Sequence, residues 1–438
     1  MIADAGSSKN TDVVDICADL LRFDTTNHGG CSSSGERDAA EYVAAFLDGI
    51  GIPSKILEAA PGRSNVIARV PGTDPSLPAL LVQGHLDVVP ADAADWSVPP
   101  FSGEVRDGFL WGRGATDMKD FVAMILAALA SGVRPRRDIV LAFVADEEDR
   151  GDFGAHWLVA EHPSLFEGCA AAISESGGYT YHVPAADGRI VRLYPVATAE
   201  RGTAHLRLTA RGRAGHGSRP NDENAVTRLV GALQRIAAHR WPVSLTPTVQ
   251  AFLERTGAAL GVPVDLSDVD AMVAALGPAG ALVVPTVRTS TTPTMLSAGY
   301  KVNVIPSTAT AQVDVRVLPD TEESLLAELD SLLGSGVTRE FVAHQPPVQA
   351  PVDSPWFDSM AAALRSEDPE AVVVPYCMGG GTDAKAFSQL GIDCYGFAPL
   401  WLPEGFPYRA MAHGVDERVP VEGLRFGTRV LSHFLTNC

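Results

Sequence analysis

Hydrophobic and polar positions along this chain fall into two textures. Up to about residue 175, short apolar runs alternate with segments whose apolar residues recur every three or four positions. Val13, Ile16, Cys17, Leu20 and Leu21 predict a helix over 12–23 after a Thr11/Asp12 start signal. Ala40, Val43, Phe46, Leu47 and Ile50 predict a second over 36–50, and a third covers 118–131. Strand-like runs lie at 64–70, 79–83, 139–145 and 170–173. Apolar strands interleaved with helices predict a mostly parallel sheet flanked by helices on both faces.

Near residue 198 the texture changes. The run 204–211 alternates strictly between apolar and polar, as a strand with one wet face does. A helix over 224–238 would turn Val226, Leu229, Val230, Leu233 and Ile236 to one side. Strands are predicted near 286–298, 309–317 and 337–343. Asp320 and Glu323 read as a capping box for a helix over 321–333 that Gly334 closes. The resulting β-α-β-β-α-β order predicts a ferredoxin-like α+β sandwich. A Pro-, Ala- and Gly-rich stretch, 241–285, reads as an insertion without an evident role. After about 350 the first texture returns, with a helix over 355–366, a strand at 371–374, the glycine run 379–381 and a closing helix near 420–435. The expected organisation is a discontinuous α/β domain, 1–197 plus 350–438, interrupted by a smaller domain, 198–349.

Composition narrows the function classes. A formal charge of −19 over 438 residues, with no basic stripe, argues against a nucleic-acid surface. No apolar run is long enough to span a bilayer, and the amino terminus lacks the basic start and apolar core of a secretory signal. Six cysteines scattered without a C-x-x-C pair read as reduced thiols, which places the protein in the cytoplasm.

The chemistry gathers at strand ends, where open α/β sheets bind their ligands. His85 and Asp87 follow the run at 79–83, two residues apart and so on one side of an extended segment. Asp87 can thus orient the ring of a metal-binding His85. Glu147 and Glu148 follow the run at 139–145, and Glu175 follows 170–173. Asp117 ends the loop before helix 118–131, and His413 lies in a loop before the last helix. Imidazole and carboxylate suit zinc, and a pair of zinc ions would carry four positive charges against the three of Asp117, Glu148 and Glu175. Such a site can bring the pKa of water from ~15.7 to about 7. Glu147 and Glu148 are adjacent and cannot share one direction, so one can bind metal while the other acts as general base.

These residues sit in the motifs GHLDVVP (84–90), GRGATDMK (112–119), DEE (146–148), SESGG (174–178), GHGSRP (215–220), NVIP (303–306), DVRVLP (314–319), GGTDAK (380–385) and HGVDER (413–418). In this order they resemble the dinuclear zinc exopeptidase and aminoacylase family, which includes carboxypeptidases G and S, acetylornithine deacetylase, succinyl-diaminopimelate desuccinylase and carnosinase. The segment 146–162 and the run LVAEHP resemble the carboxypeptidase S branch most. The resemblance implies His85 and Glu175 on one zinc, Glu148 and His413 on the other, and Asp117 bridging, with Co2+ or Mn2+ as substitutes. It further implies Glu147 as base, Asp87 as partner of His85, and a cis peptide between Asp117 and Met118. Ser176 departs from the pattern, since relatives commonly carry glycine there.

The smaller domain resembles the family's lid and dimerisation domain. His216 matches a histidine that reaches the partner subunit's site and stabilises an oxyanion, which implies a homodimer. Asn303 and Arg316 match substrate-binding positions, and Gly381 and Thr382 would supply donors to the substrate carboxylate. The implied activity is hydrolysis of an amide next to a free carboxylate, in short peptides or N-acyl amino acids. Two rivals remain at this point, a non-catalytic metal-containing binding protein for such molecules and a metal-dependent phosphate-ester hydrolase.

Overall fold

The computed structural model describes residues 11–438. Residues 1–10, part of the amino-terminal stretch considered above for a signal, lie outside the described residues. Thirteen strands of four residues or more define two sheets. In chain order they are β1 (Ser54–Ala60), β2 (Arg63–Val70), β3 (Ala79–His85), β4 (Ile139–Val144), β5 (Cys169–Ser174), β6 (Tyr181–Pro184), β7 (Ile190–Glu200), β8 (Gly202–Arg211), β9 (Ser290–Ala298), β10 (Thr308–Val317), β11 (Val337–Gln345), β12 (Val372–Met378) and β13 (Asp393–Gly396).

The large sheet runs β6-β7-β13-β5-β3-β4-β2-β1, with β12 parallel to β7 from Leu193 to Glu200. At its centre β5, β3 and β4 lie side by side and parallel, so their carboxyl ends open on the same edge. Both faces are covered. One carries the helices Val13–Leu21, Lys119–Ala130, Pro355–Glu367 and Val421–Asn437, packed through Leu20, Phe121, Ile125, Leu364 and Leu431. The other buries Leu81, Val140, Leu158, Phe166 and Phe387. Burial on both sides explains why these central strands read as unbroken apolar runs.

The small sheet has the order β9-β10-β8-β11 and is antiparallel throughout. The helices Ala225–Ala238 and Glu322–Leu333 cover one face, over Leu206, Leu208, Val313 and Val315. The β-α-β-β-α-β order read from the sequence is therefore present.

Local differences have physical causes. Helix 225–238 buries Ala225, Leu229, Ala232 and Ile236, while Val230 is exposed, because small residues let the helix lie close to the sheet. The capping box at 320–323 does not form. Asp320 sits at φ 61°, outside the helix, and Thr321 occupies the N-cap without a side-chain cap, its hydroxyl donating to the Leu318 carbonyl. Strand β7 had no periodic signal, because it is buried along nearly its whole length and carries Pro195.

The stretch 241–285, an insertion without evident role by sequence, is largely helical. Its helices Pro247–Leu260 and Val269–Ala275, with the short turns that follow, pack Val249, Phe252, Leu253 and Met272 on Leu193, Val374 and Tyr376 of the large sheet. It lies within 198–349 in sequence, yet its core contacts are with β7 and β12.

Candidate active site

Three adjacent parallel strands deliver the first side chains. His85 is the last residue of β3, Glu147 and Glu148 follow β4, and Glu175 follows β5. His85 is fully buried. Its Nδ1 faces the backbone carbonyl of Asp87 at 2.9 Å. A carbonyl only accepts, so Nδ1 carries a hydrogen and Nε2 is the nitrogen turned to the cleft, donating to Asp117 and able to offer its lone pair to a cation that displaces that proton. Nε2 lies 3.1 Å from Asp117 Oδ1. The orienting group is thus the Asp87 main chain and not, as expected, its carboxylate, which stands 3.6 Å from Nδ1.

That carboxylate has another task. It accepts from the backbone N–H groups of Glu147 (3.1 Å) and Glu148 (3.2 Å) and from Asn27 Nδ2 (2.9 Å). The turn carrying the two glutamates is braced from behind as well. Asp146 adopts φ 68°, and its side chain accepts from buried Arg63 (2.8 Å), from Asn27 (3.1 Å) and from the Phe153 backbone (3.2 Å). A non-glycine residue in this region is costly, and such a bond set is what holds it there.

Asp117 reaches the site from a loop. Its approach is fixed by Glu417, which accepts from Arg113 (2.6 Å) and from the Gly114 (3.2 Å) and Thr116 (2.7 Å) backbone. The Asp117–Met118 peptide is cis. The second oxygen of Asp117 lies 3.3 Å from His413 Nε2, which is 3.0 Å from Glu148 Oε2. Ser176 and His413 also take left-handed conformations (φ 70° and 61°). At 176 a glycine would adopt that φ freely; here the turn is secured by the Ser176 carbonyl accepting from the Tyr376 hydroxyl.

The outcome is two groups of converging donors, His85/Asp117/Glu175 and Asp117/Glu148/His413, each with its ligand atoms within 4.8 Å of one another. Asp117 belongs to both. Glu147 is outside the two triads, with Oε2 4.0 Å from His85 Nε2.

The electrostatics describe a site short of positive charge. Burial, followed by the Glu175 carboxylate, pushes Glu147 well above the usual carboxyl range. Burial and then Asp117 do the same to Glu175, and burial raises Glu148. Burial opposes ionisation of Asp117 too, but hydrogen bonds from His413 and His85 hold it below the normal range. Bonds to Asp117 and Glu148 lift His413 to about 10. Glu148 Oε1 is buried without a hydrogen-bond partner. Crowded acids, an orphaned carboxylate oxygen and two imidazole nitrogens turned inward are a donor set that divalent cations fit.

The other expected residues lie apart from this cluster. His216 is exposed in a two-residue strand paired with Val304–Ile305, and its Nδ1 is 2.8 Å from Ser218 Oγ. Asn303 is exposed, its carbonyl accepting from Gly217 N. Arg316 is engaged by Asp314, with Nε–Oδ1 2.8 Å and Nη2–Oδ2 3.2 Å. Thr382 does not offer free donors. Its N–H and hydroxyl both go to the buried Glu200 carboxylate, which Lys385 Nζ faces at 3.8 Å. A Cβ on Gly381 would stand 2.3 Å from Lys385 Cε, so Lys385 would have to move to admit a side chain there.

The clusters open on a cleft of about 380 Å³. Asp117 and Glu175 form its floor, and Tyr179, Tyr376, Tyr408, Leu282 and Pro285 wall it. The last two come from the inserted stretch. Beyond Tyr179 and Tyr408, whose rings are 4.6 Å apart, the cleft adjoins a recess of about 250 Å³ lined mainly by Tyr181, Leu402, Phe406 and Pro407, with Thr180 and Arg409 at it as well. Asp146 and Glu417 were inside recognised motifs and could have been singled out. Asn27 and Arg63 could not, because nothing local marks a residue that braces a loop some 80 or more positions away.

Fold and site define a metallohydrolase of the α/β class. The chain belongs to peptidase family M20/M25/M40, whose model matches residues 81–437. It is 29% identical over 405 residues to the Xenopus tropicalis N-fatty-acyl-amino acid synthase/hydrolase PM20D1, covering 89% of this chain and 78% of the relative. It is 29% identical over 410 residues to Sus scrofa aminoacylase-1, covering 89% of each. Among solved structures, an M20 family metallo-carboxypeptidase from Sulfolobus solfataricus superposes with a TM-score of 0.70 at 17% identity, covering 97% of this chain and 98% of the other. The protein is accordingly a metal-dependent hydrolase of this family. Among the described residues no helix is long and apolar enough to cross a membrane.

Proposed function

We propose that the chain hydrolyses the amide bond of N-acylated amino acids bearing an apolar acyl group, with two zinc ions held by His85/Asp117/Glu175 and Asp117/Glu148/His413. The composition of the cleft carries this reading. Apart from the acids of the metal clusters, its lining is three tyrosines, leucine, proline, methionine, cysteine, alanine, two glycines, Thr116 and Ser176, and the charged side chain among them is the cation Arg409. A peptide with a free α-ammonium would find no spare anion there, whereas an acylated nitrogen needs none. The relatives named for N-fatty-acyl-amino acids and for acylase activity fit the same direction.

Divalent ions at these positions would polarise the scissile carbonyl and acidify a water. Glu147 takes the proton of the attacking water and delivers it to the departing amine. Its burial, which disfavours the charged form, suits it to hold the proton between the two transfers. The backbone bonds from Glu147 and Glu148 to Asp87 keep base and ligand in divergent directions.

A matched substrate series tests the reading. N-Octanoyl-phenylalanine should exceed Ala-Phe in kcat/KM by at least about tenfold. Each acyl methylene buried in the recess adds ~0.8 kcal/mol, about fourfold, until the space is filled. Phe406→Arg should move the optimum to shorter chains. Equal turnover of the free-amine dipeptide, or a flat dependence on acyl length, would count against the proposal.

The small sheet supports a homodimer. Its edge strand β9 pairs with β10 on one side, and Met295 and Leu296 on it are 61% exposed. We read His216, exposed and outside the donor groups of its own chain, as serving a partner's site. We therefore read the 198–349 region, without its helical insertion, as the lid and dimerisation unit. Mixing inactive His216→Ala and Glu147→Gln subunits should restore activity, because a mixed dimer holds one site with both residues intact. No recovery on mixing would exclude the shared site. Six free thiols fit the cytoplasmic location expected from the sequence.

A further inference from the structure

Arg201 stands where the chain leaves β7 of the large sheet for β8 of the small one. It is half-buried, and among the described residues it makes no ion pair. Its neighbour Glu200 is directed elsewhere, to Thr382 and Lys385. Arg201 instead donates from Nε (3.1 Å) and Nη2 (2.9 Å) to the carbonyl of Gly379, and from Nη1 (3.4 Å) to Ser290 Oγ. Burial and then the nearby Arg316 guanidinium pull its pKa down. The anion close to both, Asp314, is gripped on two sides by Arg316. Arg316 thus holds the nearby carboxylate and Arg201 bonds none, an arrangement that a further anion would balance.

The missing anion can approach from the cleft. Gly379 and Pro285 both line it. A Cβ on Gly379 would lie 3.4 Å from Arg201 Nη2 and 3.9 Å from Pro285 Cβ. Arg201 thus sits behind Gly379, whose carbonyl it holds and whose missing side chain leaves the approach from the cleft open. A planar fork of donors is well matched to a carboxylate.

We propose that Arg201 recognises the free carboxylate of the substrate across Gly379, as the second member of a pair with Arg316. The identity of the ligand rests on the N-acyl amino acid reading above. The rival explanation is a strut, in which Arg201 only ties Gly379 to the small sheet. A strut would affect all ligands alike.

Equilibrium binding separates the two. Metal-loaded Glu147→Gln protein, which cannot turn the ligand over, is titrated calorimetrically with N-octanoyl-phenylalanine and with its carboxamide. The carboxylate should bind about tenfold or more tightly than the amide, as expected for hydrogen bonds to a charged group. Adding Arg201→Gln should remove most of that preference and leave the amide affinity within about twofold. Arg201→Lys should keep part of it, and Gly379→Ala, which screens the guanidinium, should reduce it. An unchanged preference in Arg201→Gln, an equal loss for both ligands, or no binding of either would overturn the proposal. Failure of the hydrolytic reading would appear separately, as no turnover of N-acyl amino acids by the unmodified chain. A carboxylate preference in binding can survive that result.

Discussion

Replacing Glu147 with glutamine is expected to lower kcat by about 10²–10⁴-fold, the usual range for a lost general base, while metal content stays at two ions per chain. The separation of effects follows from geometry. Glu147 is outside both donor triads, and its carboxylate reaches no closer than 4.0 Å to the inward nitrogen of His85. Its backbone N–H, which bonds Asp87, is retained in the variant, so the turn that presents Glu148 should keep its shape. KM for an N-acyl amino acid should move little, because the side chain acts on the water and not on acyl or carboxylate groups. Metal analysis and steady-state kinetics on the same preparation decide the matter. Normal turnover would remove Glu147 from the mechanism, and a loss of metal would make it a ligand.

The second large effect concerns Asp117. It faces His85 through Oδ1 and His413 through Oδ2, at 3.1 and 3.3 Å. Asp117→Ala should therefore empty both metal positions and abolish activity, whereas His413→Ala should empty one and leave the other filled. Stability should follow the same order. Ions that bind only the folded chain stabilise it by about 2.7 kcal/mol at a concentration a hundredfold above Kd. They also offset the repulsion among Asp117, Glu148 and Glu175. Thermal melts with and without a chelator would then show a shift in the parent protein, a smaller one in His413→Ala and none in Asp117→Ala. Retention of two ions by Asp117→Ala would refute its bridging role.

The elements that the sequence revealed are those whose side chains divide cleanly by face or by burial. The helix Val13–Leu21 displays its apolar stripe and its Asp12 cap, whose carboxylate accepts from Val14 N. Strand β10 alternates buried and half-buried residues along its length. Strand β7 and the helices at 247–275 gave no such signal, since both belong to a core formed jointly by segments nearly 200 residues apart, such as Leu193 and Val374.

In the site, the sequence by itself determined which donor types stand at which strand ends. His85 ends β3, and Glu148 and Glu175 follow β4 and β5; strand ends marked them as candidates, and the family resemblance implied their meeting. Tertiary structure alone decided how each is held and what they face. The Asp87 carboxylate bonds two backbone amides instead of the His85 ring, because β3 and β4 end side by side. Thr382 is committed to Glu200, and Arg201 is left without a carboxylate, because β7 and the 379–385 loop meet only in space. Local patterning records the affinity of a residue for water or for the backbone next to it. It carries no trace of a partner that the fold brings from a distant part of the chain.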